Sequence, residues 1–357
     1  MRCKHILLVL VLALVVVVVP SLFSCSPGYV IRAAWEEARI LARRRAIADV
    51  LNDPTLDMET RAKLELVVQA RSFAARDLGL DVGTSYTSFS DIGRDTLALV
   101  LSASPVNRLA AYTWWFPVVG RVPYKGFFDW EAAAAEAREL EEQHYETYLR
   151  PTPAFSTLGW LPDPLLSTLL SRDSVGLVET VVHEVTHNTL FVAGHVEFNE
   201  SFANFVGSLG AIEFFCERGH DDALCELARG RWHDTLRFSE FLDRLWGELE
   251  SLYAEEFPIE QLMPRREALI AELSESFRHE YAPTMRTDRF AQFDPALLNN
   301  ASLIAWHLYY HRLYLFQALY DRTGSLSGAI EQVAAAVDGA AEPWSALEEL
   351  VEGPPAS

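Results

Sequence analysis

Residues Val181–Gly207 read VVHEVTHNTLFVAGHVEFNESFANFVG. Within this stretch His183, Glu184 and His187 make the pattern H-E-x-x-H. Two histidines four apart share one face of a helix, so their ring nitrogens can reach one zinc ion. Glu184 is placed to take the proton of an attacking water. Val178 to Val182 continue a helix-compatible apolar run up to the motif. Glu200 lies thirteen residues past His187, in the run Asn199-Glu200-Ser201-Phe202-Ala203-Asn204. A second helix crossing the first there would bring Glu200 in as third ligand. Two histidines and one glutamate with a position left open form a catalytic zinc set, whereas a structural site is closed and has no use for Glu184. His195 and Glu197 are rival ligands, eight and ten residues past His187. The longer motif with a glycine and a third histidine at three and six residues past His187 is excluded by Leu190 and Ala193. Asn204, four residues past Glu200, is a candidate to hydrogen-bond a ligand histidine.

Working outward, Asp173 or Ser174 can cap the motif helix, which is expected to run to about Phe191. Ala193-Gly194 turns the chain, and the second helix covers roughly Asn199 to Phe214. Upstream, Pro151 to Pro164 is irregular, and Phe155, Ser156, Thr157 and Trp160 are candidates for a cleft wall. Asp129 to Tyr148 predicts a helix whose glutamates, Glu136 among them, for the most part form a solvated face. Thr96 to Leu101 and Ala111 to Phe128 are strand-like. Either could be an edge that holds a substrate backbone by strand addition, or a packed hairpin. Before them, Tyr29 to Ile47 and a segment ending near Arg76 predict two helices packed as an α-hairpin. Asp53 would cap the second, with Pro54 in its first turn.

Downstream, Cys216 and Cys225 are nine apart and fit either a disulfide or two buried thiols. Arg265, Arg266 and Glu267 read as an exposed run. Leu303 to Tyr320 predicts one strong aromatic-rich helix, capped by Asn299 or Asn300. From it Tyr309, Tyr310, Tyr314 or His307 could donate to an oxyanion, and His311 could also face the metal. An aromatic stripe that is simply core is the alternative for each. Phosphate-binding glycine loops, a Gly-x-Ser-x-Gly elbow and internal repeats are not visible.

The N-terminus reads as an export signal over residues 1–24, followed by one large domain over 25–357. Arg2, Lys4 and His5 precede an apolar run of fourteen residues, Ile6 to Val19. That is short for a membrane span and long enough for a signal core. Leu22-Phe23-Ser24-Cys25 resembles a lipobox, with Phe23 departing from the usual small or β-branched residue. Cys25 is thus a candidate lipidation site, the alternatives being an uncleaved anchor or plain secretion. Loss of residues 1–24 removes Arg2 and Lys4 and no acid, so the formal charge moves from −20 to −22. Such a surface argues against nucleic acid and against a polybasic membrane contact. Oligomeric state is not encoded in any pattern here.

The residues above carry a resemblance to a bacterial family of putative aminopeptidases, zinc-dependent lipoproteins. It rests on Cys25 and the tyrosine-containing helix after it, Tyr124 to Phe128, Phe155 to Trp160, Asp163 to Leu165, His183 to His187, Asn199 to Ala203 and Asn299 to Ala301. The resemblance implies a mainly α, gluzincin-like fold, with a motif helix, a second ligand helix and a small β element as substrate edge. It further implies one Zn2+, a peptide substrate and a lipid-held location in the bacterial envelope, at the outer membrane or periplasmic face. An aminopeptidase needs an acid for the substrate amine, for which Glu197 and Glu179 are the candidates. An endopeptidase is the nearest alternative. A non-catalytic helical scaffold of the envelope is the alternative outside enzymes.

Overall fold

The computed structural model describes residues 35–353 apart from 37, 95, 117–119, 153–163 and 219–220. The signal segment, Cys25, Phe155, Ser156, Thr157 and Trp160 therefore lie outside the described residues. Helices dominate, with three small sheets. No helix among the described residues is long and apolar enough to cross a membrane.

After a short helical stretch over 38–42, the helices are α1 (Ile47–Leu51), α2 (Met58–Arg76), α3 (Trp130–Glu142), α4 (Ser174–Thr189), α5 (Val196–Glu213), α6 (Asp222–Ala254), α7 (Ile259–Ser276), α8 (Asn300–Tyr310), α9 (Leu313–Thr323), α10 (Leu326–Val337) and α11 (Pro343–Glu352). The strands are β1 (Arg45–Ala46), β2 (Ser88–Ser90), β3 (Ala98–Pro105), β4 (Trp114–Phe116), β5 (Gly120–Val122), β6 (Lys125–Phe127), β7 (Tyr145–Thr152) and β8 (Leu165–Leu166). They make three sheets, ordered β1-β2-β8, β6-β3-β7 and β4-β5.

The main core packs α2, α4 and α5 with α9, α10 and α11. On α4, Val178, Val181, Val182 and Val185 are fully buried, so the opposite stripe of Thr180, His183, Glu184 and His187 is left half-exposed. That division follows from the 3.6-residue period. Asp173 caps α4 by accepting from the Gly176 N–H (2.9 Å). On α5, Phe198, Phe202, Phe205 and Val206 enter the core, while Glu197, Glu200 and Asn204 keep one half-buried face. The Cys216–Cys225 disulfide closes the turn from α5 into α6.

Several expectations need correction. The helix from Asp129 stops at Glu142, and Tyr145–Thr152 is a strand on β3. His144 turns the chain there at φ 64°, and the following Tyr and Thr residues suit a strand. Strand β3 is central between β6 and β7, so Thr96 to Leu101 cannot be the edge that accepts a substrate strand. Edges remain at β6 and in the β4–β5 hairpin. Glu136 is not solvated: it accepts from Trp114 Nε1 (2.7 Å) and pairs with buried Lys125 (2.5 Å). Arg266 is also buried, bonded to the Val106 carbonyl (3.1 Å) and paired with Glu146 (2.5 Å). Asp57, not Asp53, caps α2, and Asp53 instead closes a turn with Thr55. Ile40 of the first helix packs with Ile92, Leu97, Ala98 and Leu166, not as a hairpin on α2. The predicted helix 303–320 is two helices, broken at Arg312 in the left-handed region (φ 49°). Asp243 holds the break, accepting from the Arg312 N–H (3.0 Å).

Helices α4 and α5 approach closely because α5 presents glycine where they touch. A Cβ at Gly207 would sit 2.7 Å from the Glu179 carbonyl and 3.1 Å from His183 Cβ. At Gly210 it would sit 2.9 Å from Val182 Cγ1. Gly207→Ala should therefore push the helices apart and lower stability by about 1–3 kcal/mol, as overpacking does. Denaturant unfolding checks this; a variant as stable as the parent would mean that the contact is not tight.

Candidate metal centre

The turn of α4 and α5 against each other fixes the site. Asn199 of α5 bonds both backbone groups of Val192, its Oδ1 accepting from the N–H (2.8 Å) and its Nδ2 donating to the carbonyl (2.9 Å). Gly194 supplies the positive φ of the intervening turn (86°). The segment after His187 is thus folded back so that Glu200 returns beside the histidines. Glu200 Oε2 lies 3.2 Å from His183 Nε2 and 3.8 Å from His187 Nε2. The two rings meet edge to face, 5.0 Å between centroids.

These donors fit a single metal ion. Tetrahedral zinc with ligands at about 2.0–2.1 Å separates its donor atoms by roughly 3.3–3.4 Å, close to the spacings found. Burial and the Glu200 charge set the electrostatics of the cluster. Burial holds the His187 imidazole down at about 4, leaving it neutral with a free lone pair near pH 7. Burial also disfavours the His183 imidazolium, but the Glu200 hydrogen bond and charge outweigh it and raise its pKa. Glu200 is pushed up by burial and pulled down further by His183 and His187, ending below the usual carboxylate value.

Of the four candidate oxyanion donors, Tyr309 is at the cleft. Its ring stacks on His183 at 6.2 Å and 28°. The Glu200 charge and then burial raise its phenol well above the usual range, with Glu184 adding to the effect. Tyr310 packs against Phe238, Phe290 and Trp306 in the core. Tyr314 lies exposed on α9. His307 and His311 turn instead to Glu197 and Asp243. Glu179, one turn before His183 on α4, pairs with Arg289 (2.9 Å). Asn204 donates to the Tyr309 carbonyl (2.7 Å), so its link to the site runs through that backbone.

Two residues joined the site without a reading from spacing. Tyr124, just before β6, feels the Glu200 and Glu184 charges, and burial with these pushes its phenol up to about 12. Arg150 of β7 reaches over the Tyr309 ring (6.0 Å), its buried Nε having no hydrogen-bond partner among the described residues. It opposes the shifts of Tyr124 and Tyr309. Only the family-like run from Tyr124 to Phe128 had pointed to that strand, and nothing had pointed to Arg150, hidden in a stretch read as helix end and loop.

A helix-dominated fold that folds two histidines of one helix onto a glutamate of the next has the form of a metal-dependent hydrolase. The family described as "Putative aminopeptidase" matches residues 28–343, and the chain belongs to that family. Neither the curated proteins nor the solved structures contain a match to it. Family membership and the histidine–glutamate clustering together support an enzymatic, metal-dependent peptidase activity.

The cap of the motif helix also carries charge. Asp173 accepts from Arg231, and that bond with the Gly176 N–H holds its carboxyl at about 2. A depressed carboxyl stabilises the fold above its unfolded value of 3.8, and the gain is lost as pH falls through about 2. Asp173→Asn keeps a capping side chain and removes the charge. It should cost no more than about 1 kcal/mol at neutral pH for this half-exposed pair, and the gap should close between about pH 4 and pH 2. Unfolding curves across that range test this, and a gap independent of pH would exclude the ion pair as its source.

Proposed function

We propose that this protein is a zinc-dependent peptidase that hydrolyses peptide bonds, acting as an aminopeptidase on peptides in the bacterial cell envelope. The observation that carries the reading is the convergence of one ligand atom each from His183, His187 and Glu200 within 4.8 Å of one another, with Glu184 next in the chain to His183. His183, His187 and Glu200 would hold one Zn2+, in a gluzincin-like order of motif helix followed by glutamate helix. When bound, zinc supplies Lewis-acid polarisation of the scissile carbonyl and acidifies water.

The remaining steps belong to the chain. Glu184 takes the proton from the attacking water and passes it to the departing amine. Tyr309, kept protonated by its surroundings, donates to the developing oxyanion. Tyr124 offers a second phenol in the same cleft, and Arg150 offsets part of the negative charge there. Strand β6 or the β4–β5 hairpin would receive the substrate backbone by strand addition. Among the described residues, both acids expected to meet the substrate amine are already paired: Glu179 faces Arg289, and Glu197 faces two histidines. An endopeptidase of the same chemistry is favoured by that observation as the second reading. Export with removal of residues 1–24 and lipid on Cys25 would hold the enzyme at the outer-membrane or periplasmic face. More than one acyl chain is needed for a stable anchor.

Glu184→Gln should lower turnover of a peptide substrate by about 10²–10⁴-fold while zinc stays bound. Turnover close to the parent's would remove the mechanism. Tyr309→Phe should cost about 10²–10³-fold in kcat with little change in KM, the size found for one lost oxyanion donor; an unchanged kcat would remove that role. Comparing a free N-terminal peptide with its acetylated twin decides between exo- and endopeptidase, since equal cleavage excludes the aminopeptidase. The mass of the mature N-terminus tests the anchor, an unmodified Cys25 being the contrary result.

A further inference from the structure

A second set of metal-ligand side chains stands next to the first. On α8, His307 and His311 are four residues apart, the same spacing as His183 and His187. Glu197 lies one turn before Glu200 on α5, about 4.5 Å along the axis at 1.5 Å per residue. Its carboxylate meets both rings, Oε2 lying 3.1 Å from His307 Nδ1 and Oε1 3.5 Å from His311 Nε2. One donor atom from each of the three falls within 4.8 Å of the others.

The opposite nitrogens of the same rings face a different carboxylate. Asp243 Oδ1, from α6, lies 2.7 Å from His311 Nδ1 and 3.5 Å from His307 Nε2. Its Oδ2 is occupied by the Arg312 N–H (3.0 Å). Ligating imidazoles characteristically hand their far N–H to a carboxylate, which fixes tautomer and ring orientation. His307 is 2% exposed, and among the described residues its buried Nε2 has only the long 3.5 Å approach of Asp243. Trp246 stacks on that ring at 3.9 Å, and Trp344 stands edge-on to His311 at 4.9 Å.

The two rings lie side by side between the two carboxylates, with centroids 4.1 Å apart. One divalent ion on the Glu197 side would take one nitrogen from each ring and leave the far N–H of each ring for Asp243. We infer that Glu197, His307 and His311 form a second metal site, for a divalent transition ion of the zinc class, oriented by Asp243. Two imidazoles and a carboxylate suit such an ion better than magnesium or calcium. The site ties α5 to α8 and α6, and it fixes the two ends of the turn that carries Tyr309.

The test counts zinc per chain by native mass spectrometry after chelation, reloading with Zn2+ and desalting. Circular dichroism checks that each variant is folded. The expected count is two in the parent, one in Glu197→Gln and one in His183→Ala/His187→Ala. A Glu197→Gln variant that keeps the parent's zinc count overturns the second site. Counts of one, none and one in the same order would support the second site and remove zinc from the first. Asp243→Asn, which leaves the three ligands in place, should weaken the retained ion of His183→Ala/His187→Ala by about 10–100-fold. Unchanged affinity there would remove the orienting role of Asp243.

Discussion

The close approach of α4 and α5 is the constraint on which the rest depends. Gly207 and Gly210 let the two helices meet backbone to side chain, with no room for a Cβ. The valine face of α4 and the phenylalanine face of α5 hold that contact through the main core. Packing at this density tolerates little change in volume. Asn199 closes the connection by bonding Val192 on both of its backbone groups. These features together put Glu200 within 3.2 Å of His183, across seventeen residues of chain. The site is therefore a consequence of helix packing, not of a loop.

Charge then organises what packing has placed. The Glu200 carboxylate faces two imidazoles, and its charge acts on two phenols, Tyr124 and Tyr309. It raises the His183 imidazole against the effect of burial, it leads in raising the Tyr309 phenol, and it adds to burial in raising the Tyr124 phenol. Arg150 tempers that field from β7. Asp243 breaks what would be one continuous helix, since it binds the N–H of Arg312 and a ring nitrogen of His311. The break separates α8, which carries Tyr309, from α9, which belongs to the core.

The motif helix, its cap and the crossing helix were legible in the sequence because each obeys a local rule. The period of four put His183 and His187 on one face, Asp173 stood where a cap belongs, and Gly194 marked the turn. What could not be read depends on contacts between distant segments. Strand β7 looked like the end of a helix because Tyr145 to Thr152 follow an alanine-rich run, and only pairing with β3 decides the matter. Arg266 looked exposed among charges, yet Glu146, 120 residues away, buries it. The break at Arg312 has no glycine or proline to announce it, and Asp243 supplies it from 69 residues away. Of the tyrosines on the aromatic stripe, helical spacing alone could not tell Tyr309 from Tyr310, since which faces the cleft depends on where α5 meets α8.

The most direct measurement of the central claim is a zinc-edge anomalous difference map from crystals of the zinc-loaded protein. A peak is expected at about 2.0–2.1 Å from Nε2 of His183, Nε2 of His187 and the Glu200 carboxylate. No peak there, with Glu200 still bonded directly to His183 in the loaded crystal, would contradict it.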